Sequence, residues 1–375
     1  MNAPAAPAAR LAFLDHLRVV LTALVLFHHT AITYGATGGW YLHEVLPSDA
    51  PQSIALSLFC GVNQAYFMGM FFLIAGYFTP AALARRGAAG FLAERALRLG
   101  LPLLVYGFVL GPFTYALAQT ARGKPLLDTW WALTSRGIFL NGPLWFAQAL
   151  LIFSAAWVLW RRLRPAAALP TDAPLPRSRT LLAAALGTGA VALLIRQWVP
   201  TGDEVFGLQL GYFASYILLF VVGCVAAAPR WLERVDGRLA RPWLIVAALA
   251  LPALPAAVVL GGALGAATGV AGGLSLPAIV YAFWEPLVAW GIILGLLWQF
   301  RLRWNDATPA SLWLARRAYA VYVIHPPLLV ALALMLGGWA AAPLVKFAVV
   351  GAAGCVVCWL LADLVLRLPR VQQVL

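Results

Sequence analysis

The first apolar run of the chain carries an arginine at its beginning and two adjacent histidines in its middle. Arg18 opens the segment RVVLTALVLFHHT, and His29 follows it eleven residues later, directly after His28. On a helix that rises 1.5 Å per residue, Arg18 and His29 are about 16 Å apart along the axis. A charged or strongly polar side chain at such a depth in a membrane costs about 2.5–3.5 kcal/mol, so its presence there indicates a function. Because His28 points about 100° away from His29 around a helix, we expect only one of the two to face the protein interior.

Two further polar residues lie in later apolar runs, and each is directly followed by proline. Glu285 occurs in AFWEPLVAW, and His325 occurs in AYAVYVIHPPLLV. Proline has no N–H group, so it frees a carbonyl four residues earlier and bends the helix, which makes a local opening. His325 follows Arg317 by about 12 Å along a helix, so we expect it at the depth of His29, with Glu285 at a comparable level.

A structural interpretation of these residues stays open beside the functional one. Polar side chains between membrane helices also form hydrogen bonds that hold the helices together, at about 0.6 kcal/mol each on average. Both interpretations apply to His28, Glu285 and His325. For Arg18 and His29 the cost of burial favours a function.

A basic cluster precedes the third apolar run, in the segment ARRGAAGFLAERALRLGLP. Arg95 and Arg98 are three residues apart and therefore share one face of a helix. Paired guanidinium groups bind phosphate through bidentate, charge-assisted hydrogen bonds. The distribution of positive charge that orients membrane proteins also explains this cluster, and the residues alone favour that simpler interpretation.

The elements that position these residues are membrane helices. The 375 residues are 63% hydrophobic and 10% charged, whereas a soluble domain carries about 25% charged residues. The mean hydropathy is +0.86. We therefore expect an all-α polytopic bundle that forms a single domain over residues 1–375, with a retained first span and with no nucleic acid as a partner. About 20 mostly apolar residues make one span, and ten such runs are predicted at 17–36, 54–78, 99–118, 142–160, 180–195, 208–228, 243–262, 277–299, 317–337 and 341–366.

The positive charges predict the orientation of the bundle. The net charge of +13 comes from 26 Lys and Arg residues against 13 acidic residues. Nearly all of the basic residues fall in alternate loops, and since cytoplasmic loops retain positive charge, both termini are predicted to be cytoplasmic. The exceptions, in the remaining segments, are Arg122, Lys124, Arg136, Arg196 and Lys346.

Taken together, these residues resemble the acyltransferase family 3 of polytopic membrane O-acyltransferases, and within it the branch of glucan succinyltransferases. The family's Arg, ten residues, then His matches Arg18 and His29, and its Arg-x-x-Arg matches Arg95 and Arg98. Three longer segments are similar to family motifs and follow in the same order along the chain: FFLIAGYFTP at 71–80, GPLWFAQALLIF at 142–153 and YAVYVIHPPLL at 319–329.

The resemblance implies an acyl-CoA co-substrate on the cytoplasmic side of a bacterial inner membrane, with no separate cofactor and no metal. An acetyl or succinyl group would pass through the membrane to a hydroxyl group of an envelope carbohydrate. Arg18, Arg95 and Arg98 would bind the phosphates of coenzyme A, and Trp145 would line the tunnel. The sequence does not distinguish the two acyl groups or identify the glycan.

The resemblance also assigns the chemistry. His29 would activate the acceptor hydroxyl as a general base or carry the acyl group itself, and imidazole suits this task because it exchanges a proton near neutral pH. Beyond the resemblance, we infer from their depth that His325 or Glu285 would orient it or stabilise the oxyanion. Trp40 and Tyr41, in TGGWYLHE, would stack on a sugar ring, although aromatic residues at this depth are also typical of the membrane interface.

Two other function classes compete with the enzyme. A secondary transporter or flippase would use Arg18, His29 and Glu285 to bind an anionic substrate or relay protons. A membrane scaffold without activity would use the same residues only to join helices. Nucleophilic hydrolysis is disfavoured, because the sequence has no Gly-x-Ser-x-Gly elbow.

Overall fold

A computed structural model describes residues 11–164, 169–265 and 267–375. Within these residues the chain is helical throughout, with two isolated bridges and no strand. The predicted all-α class is therefore confirmed.

In the described part of the chain, eight helices are long and apolar enough to cross a membrane, and one shorter apolar helix accompanies them. Three short helices, Leu126–Thr134, Trp231–Arg234 and Val371–Val374, lie between or after them. The nine apolar helices are α1 (Ala12–Thr33), α2 (Pro51–Arg122), α3 (Gly142–Leu163), α4 (Ser178–Ile195), α5 (the shorter one, Leu210–Ala226), α6 (Gly237–Ala263), α7 (Leu276–Arg303), α8 (Pro309–Met335) and α9 (Pro343–Val365).

Helix α2 contains two of the predicted apolar runs, 54–78 and 99–118, in one continuous helical stretch of 72 residues. Gly87 interrupts it with a φ of +68°, a left-handed conformation that glycine adopts without steric cost. Wider π-helical turns follow at Ala96–Gly100 and Tyr106–Leu110. Each precedes a proline, Pro102 or Pro112, which cannot donate the hydrogen bond that the regular ladder needs. The two predicted runs thus lie on either side of the break at Gly87, within one irregular helical stretch.

Helices α2 and α5 approach closely because both carry glycine where they cross. A Cβ atom at Gly76 would overlap with the Phe220 carbonyl, and one at Gly223 would overlap with the Leu73 carbonyl. Small residues allow such contact between backbones, and van der Waals packing then replaces the hydrophobic effect, which is absent between helices in lipid.

The bundle has two ends that matter for the site. Helices α1 and α8 run in the same direction, since Val19 and Leu314 share one apolar cluster and Ile32 and Val330 share another. We call the end at which α1 and α8 begin the arginine end, because Arg18 lies there. The loop end is opposite, and it contains residues 34–50, which follow α1.

Hydrogen bonds fix residues 34–50 against the start of α2. The Ser53 hydroxyl donates to the Gly35 carbonyl at 2.5 Å and accepts from the Ser48 N–H at 2.9 Å. Gly35 has a φ of +115°, which favours glycine. Glu44, further along, forms an ion pair with the buried Lys346 of α9. This segment is therefore held in one conformation and places its aromatic side chains over the bundle.

Candidate active site

The ring of His29 contacts two other rings, those of Trp40 and His325. Its ring is stacked on Trp40, with centroids 3.9 Å apart and planes at 13°, and on His325, at 5.4 Å and 12°. His29 is half-buried, whereas His325 is fully buried. The expected proximity of the two histidines is therefore found, and their catalytic role stays a prediction. We call His29 and His325 the histidine pair.

His28 points to a different part of the protein. Its ring is stacked on Phe67 of α2, with centroids 5.1 Å apart, and its plane is perpendicular to that of His29. Adjacent residues on a helix leave it in directions about 100° apart, so His28 faces α2 when His29 faces α8. Of the two neighbouring histidines, His29 is therefore the one that faces His325.

The proline after His325 determines which ring nitrogen of that histidine is available. Pro326 has no N–H to donate to the Tyr322 carbonyl, four residues earlier. The Nδ1 atom of His325 lies 2.7 Å from that carbonyl oxygen instead. A carbonyl only accepts, so Nδ1 carries the hydrogen, and Nε2 of the neutral ring keeps its lone pair. Among the described residues Nε2 has no hydrogen-bond partner, so it can accept a proton or a hydrogen bond from a reacting group.

Three aromatic rings of α8 form a line that leads from the arginine end to the histidine pair. Tyr319, Tyr322 and His325 are spaced by three residues and share one helix face. Their successive ring centroids are 6.4 and 5.9 Å apart. The Tyr322 hydroxyl donates to the Pro143 carbonyl, which begins α3. The Tyr319 hydroxyl donates at 2.7 Å to the Arg98 carbonyl, which Pro102 leaves without its usual donor.

The predicted phosphate-binding arginines lie at the arginine end. Arg98 is half-exposed and 4.0 Å from Glu94, whereas the Arg95 guanidinium lies over the Phe91 ring at 5.2 Å. Arg18 forms an ion pair with Asp15 at 3.3 Å. Exposed pairs of this kind contribute only about 0–1 kcal/mol, so a stronger anion can replace them. The binding of coenzyme A by these residues stays a prediction.

Trp145 packs in an aromatic cluster beside the line of rings. Its ring is stacked on Tyr216 of α5, with centroids 5.5 Å apart. The next residue, Phe146, contacts the Tyr322 ring at 6.1 Å in an edge-on arrangement. Trp145 therefore lies one residue away from the site, and its role as a tunnel wall stays a prediction.

Glu285 has a different partner from the one that the sequence suggested. It forms a buried ion pair with Arg196, and both side chains are 1% exposed. Arg196 also donates to the Gly211 carbonyl at 3.0 Å and lies 4.8 Å from the centroid of the Tyr281 ring. No hydrogen bond or ion pair joins Glu285 to a histidine in the described residues. The expected contact between Glu285 and a histidine is therefore not found among the described residues, and its carboxylate instead connects α7 to the end of α4. A role of Glu285 in the reaction stays a prediction.

Trp40 and Tyr41, expected on the acceptor side, lie at the loop end of the site. Trp40 covers His29 directly, and the Tyr41 ring contacts Trp40 at 5.2 Å. The Tyr41 hydroxyl lies 3.2 Å from that of Tyr106, and a Cβ atom at Gly142 would overlap with it. Burial raises the pKa of Tyr41 to about 12, so it stays protonated and can donate a hydrogen bond. Contact of either residue with a sugar stays a prediction.

Sequence reasoning did not anticipate several residues around this site. Arg196 was assigned to a loop between spans, yet it is fully buried. Its position at the end of an apolar run, next to Ile195, was the available signal. Tyr322 and Tyr106 also hold parts of the site in place. The spacing of three residues between Tyr322 and His325 could have identified the first of them.

A sequence profile described as an acyltransferase domain, that of acyltransferase family 3, matches residues 11–363. The chain belongs to this family. Its relatives include the proteins named glucans biosynthesis protein C of Salmonella typhi, Salmonella agona (strain SL483) and Salmonella typhimurium (strain LT2). Each is 26% identical to the chain over 232 residues, which are 59% of this chain and 59% of the relative. The alignment thus spans less than two thirds of each relative. No solved structure matches the chain.

These comparisons confirm the resemblance that the motifs indicated. A match over nearly the whole described chain, together with eight long apolar helices, identifies an integral membrane protein of an acyltransferase family. The matched residues include both members of the histidine pair and the arginines at the arginine end.

Proposed function

We propose that this protein transfers an acyl group from acyl-CoA, bound at the arginine end, to a hydroxyl group of a glycan at the loop end. The observation that carries the proposal is the position of His29, whose ring contacts both His325 and Trp40. The line of rings from Tyr319 to His325 begins at the Arg98 carbonyl. The histidine pair thus has a connection to each end of the bundle.

The proposed chemistry uses the lone pair of imidazole. The acceptor oxygen forms a bond to the thioester carbonyl carbon, the carbon–sulfur bond breaks, and the hydroxyl proton passes through the ring of His29 to the departing thiolate. In the covalent alternative His29 first displaces the thiolate of coenzyme A, which takes the N–H proton of the ring, and the acceptor hydroxyl then displaces the imidazole, which takes the hydroxyl proton. His325 supports either route, because its Nε2 lone pair can accept a hydrogen bond from His29 or from the acceptor.

The proposed topology places the arginine end in the cytoplasm, with both termini there. Nearly all Lys and Arg residues lie in alternate loops, which supports this orientation. A helix of 72 residues is about 108 Å long, far more than the roughly 30 Å of the hydrocarbon core, so we assign two spans to α2, separated at Gly87. With α5 as a further span, the chain crosses a bacterial inner membrane ten times.

The proposed substrates follow from the arginines and from the relatives. Arg18, Arg95 and Arg98 would bind the phosphates of coenzyme A through charge-assisted hydrogen bonds. The relatives are named for glucan biosynthesis, so a glucan is the acceptor that we propose. Acetyl-CoA and succinyl-CoA are the two donors to compare.

The test is acyl transfer by the purified protein in proteoliposomes, supplied with radiolabelled acetyl-CoA or succinyl-CoA and a soluble glucan. We expect His29→Ala to lower transfer by about 10²–10⁴-fold, the usual contribution of a general base. The matched control is His28→Ala, which removes the neighbouring imidazole that contacts Phe67 instead. That variant should retain transfer, and gel filtration checks that both variants are folded.

Two results would contradict the proposal. The first is equal transfer by the His29 and His28 variants. The second is movement of glucan or of labelled anion across the membrane without any acylated product, which would favour a transporter. A labelled acyl group that stays on the protein after quenching, and is lost in His29→Ala, would select the covalent route.

A further inference from the structure

A tight hairpin lies at the loop end, between α4 and α5. Val205 and Leu208 exchange two backbone hydrogen bonds of 2.9 and 3.1 Å. The two residues between them, Phe206 and Gly207, have φ values of +52° and +73°. Left-handed conformations at both central positions define a type I′ turn, in which asparagine or aspartate followed by glycine is the preferred pair. Phenylalanine at the first of these positions is therefore unfavourable for the turn itself.

The side chain of Phe206 gains nothing from the rest of the protein to offset this conformation. It is 89% exposed, and no other aromatic ring contacts it among the described residues. A strained residue persists only when its surroundings fix it, and such residues occur most often at functional sites.

Two amide side chains hold the backbone of the hairpin in place. Gln148 donates to the Phe206 carbonyl at 3.1 Å, and Asn141 donates to the Gly207 carbonyl at 3.0 Å. Asn141 also donates to Gln148 at 2.9 Å. Asn141 directly precedes α3 and Gln148 lies in its first part, so the hairpin is attached to a membrane helix and presents the Phe206 ring in a fixed direction.

The hairpin adjoins the loop end of the candidate active site. Asn141 precedes Gly142, which lies against the Tyr41 hydroxyl. After burial, the negative charge of the Glu204 carboxylate is a further cause that raises the pKa of Tyr41. Tyr41 in turn contacts Trp40, which covers His29.

We propose that this hairpin binds a sugar ring of the acceptor, with Phe206 stacked on the apolar face of the ring and Glu204 accepting a hydrogen bond from a hydroxyl group. The proposal rests on the proposed function for the identity of the acceptor. A rigid aromatic ring beside a carboxylate suits a pyranose, which has one C–H face and hydroxyl groups around its edge. Insertion into lipid fits less well, because Asp203 and Glu204 are exposed beside the ring and charges in lipid are costly.

The experiment compares three substitutions of Phe206 in proteoliposomes, with the glucan concentration varied at saturating acyl-CoA. Phe206→Trp keeps an aromatic face and should keep the KM for glucan. Phe206→Leu keeps apolar surface without the ring, and Phe206→Asn supplies the residue that the turn prefers. Both should raise the KM for glucan by up to about tenfold, the scale of one lost aromatic contact, with kcat little changed.

Two further measurements separate recognition from folding. Thermal unfolding should show Phe206→Asn to be at least as stable as the wild type, because the turn is relieved of strain. Hydrolysis of acyl-CoA without glucan should be the same in all three variants, since the donor lies at the other end. We therefore expect Phe206→Asn to be more stable and to bind the acceptor more weakly. A residue with only a structural role would not give this combination.

The outcomes distinguish this proposal from the one on which it rests. If the wild type acylates glucan and the Asn variant has the same KM, the hairpin does not bind the acceptor. If Leu preserves the KM as well as Trp does, the contact is with lipid or another apolar surface, and the sugar-stacking proposal is overturned. If the wild type transfers no acyl group but binds glucan in nanodiscs, with binding weakened by Phe206→Asn, the hairpin proposal holds and the proposed enzyme function fails.

Discussion

The ion pair between Arg196 and Glu285 allows a quantitative test of whether Glu285 supports the fold or takes part in the reaction. Both side chains are 1% exposed. We expect Glu285→Gln to lower the free energy of unfolding by about 3–5 kcal/mol, because it leaves the charge of Arg196 buried without its partner. A guanidinium group cannot lose its proton to escape this cost. Transfer activity per folded molecule should stay at the wild-type value, since the carboxylate faces Arg196.

Two further variants complete a double-mutant cycle of Arg196 and Glu285 and test the prediction more strictly. Arg196→Met should cost less than Glu285→Gln, because an abandoned carboxylate can bind a proton and become neutral. The double variant R196M/E285Q, which combines the two single substitutions, should recover most of the loss, since it leaves neither charge buried without its partner. One oxygen of Glu285 and one nitrogen of Arg196 have no hydrogen-bond partner in the described part of the chain. Because the hydrogen bonding of the pair is incomplete, we expect the double variant to recover more of the lost stability.

The assay is equilibrium unfolding in mixed micelles, followed by the fluorescence of the 16 tryptophans, with acyl transfer measured on the monodisperse fraction of each variant. Two results would refute the reasoning. Stabilities that simply add from the single to the double variant would mean that the two charges are not coupled. A Glu285→Gln protein of wild-type stability that has lost transfer would return Glu285 to the reaction.

Two further substitutions test how the site is held together. Gly142→Ala should cost about 1–3 kcal/mol more stability than Gly137→Ala in thermal unfolding: both glycines have positive φ, but only at Gly142 would a Cβ meet a neighbour, the Tyr41 hydroxyl. Equal losses would mean that the contact with Tyr41 is unimportant. Tyr319→Phe should cost about 1 kcal/mol in the same measurement, because the Arg98 carbonyl loses its donor at 2.7 Å. A stabilised variant would mean that this hydrogen bond contributes nothing.

The helices could be predicted from the sequence because lipid imposes a simple rule. Every backbone polar group in the hydrocarbon must be paired within its own helix, so long apolar runs become helices. The run predicted at 277–299, for example, lies within Leu276–Arg303, and the run predicted at 317–337 lies in Pro309–Met335 except for its last two residues. The helix ends extend beyond the predicted limits where charged residues continue a helix past the apolar core, as Arg301 and Arg303 do in α7.

Part of the site also follows from local spacing. Tyr319, Tyr322 and His325 share a face because residues three apart do so on any helix. The proline after His325 frees a carbonyl by its covalent structure alone. The sequence does not indicate that the ring of His325 itself donates a hydrogen bond to this carbonyl. Several rotamers of the ring are compatible with the same backbone.

Contacts between segments that are far apart in the sequence could not be predicted from local sequence patterns. Arg196 and Glu285 are 89 residues apart, and an arginine at the end of an apolar run has the same local pattern whether it faces water or a buried carboxylate. Trp40 reaches His29 only because residues 34–39 fold back, with Gly35 and Gly38 at positive φ. A hydrophobic pattern describes which face is buried, and it does not specify which partner is found there.

The partners of the buried polar groups indicate where the reaction can take place. In Glu285 the negative charge is neutralised by a fixed guanidinium of the same chain, so a substrate group would have to displace that guanidinium at a cost of several kcal/mol. His325 has the opposite arrangement: its Nδ1 is held by a carbonyl, which leaves Nε2 oriented and without a partner among the described residues. A group that is positioned through one atom and available through another can exchange a proton without first breaking an internal bond. The same division, one nitrogen for position and one for chemistry, arises wherever a backbone carbonyl or a carboxylate holds one ring nitrogen of a histidine and leaves the other available.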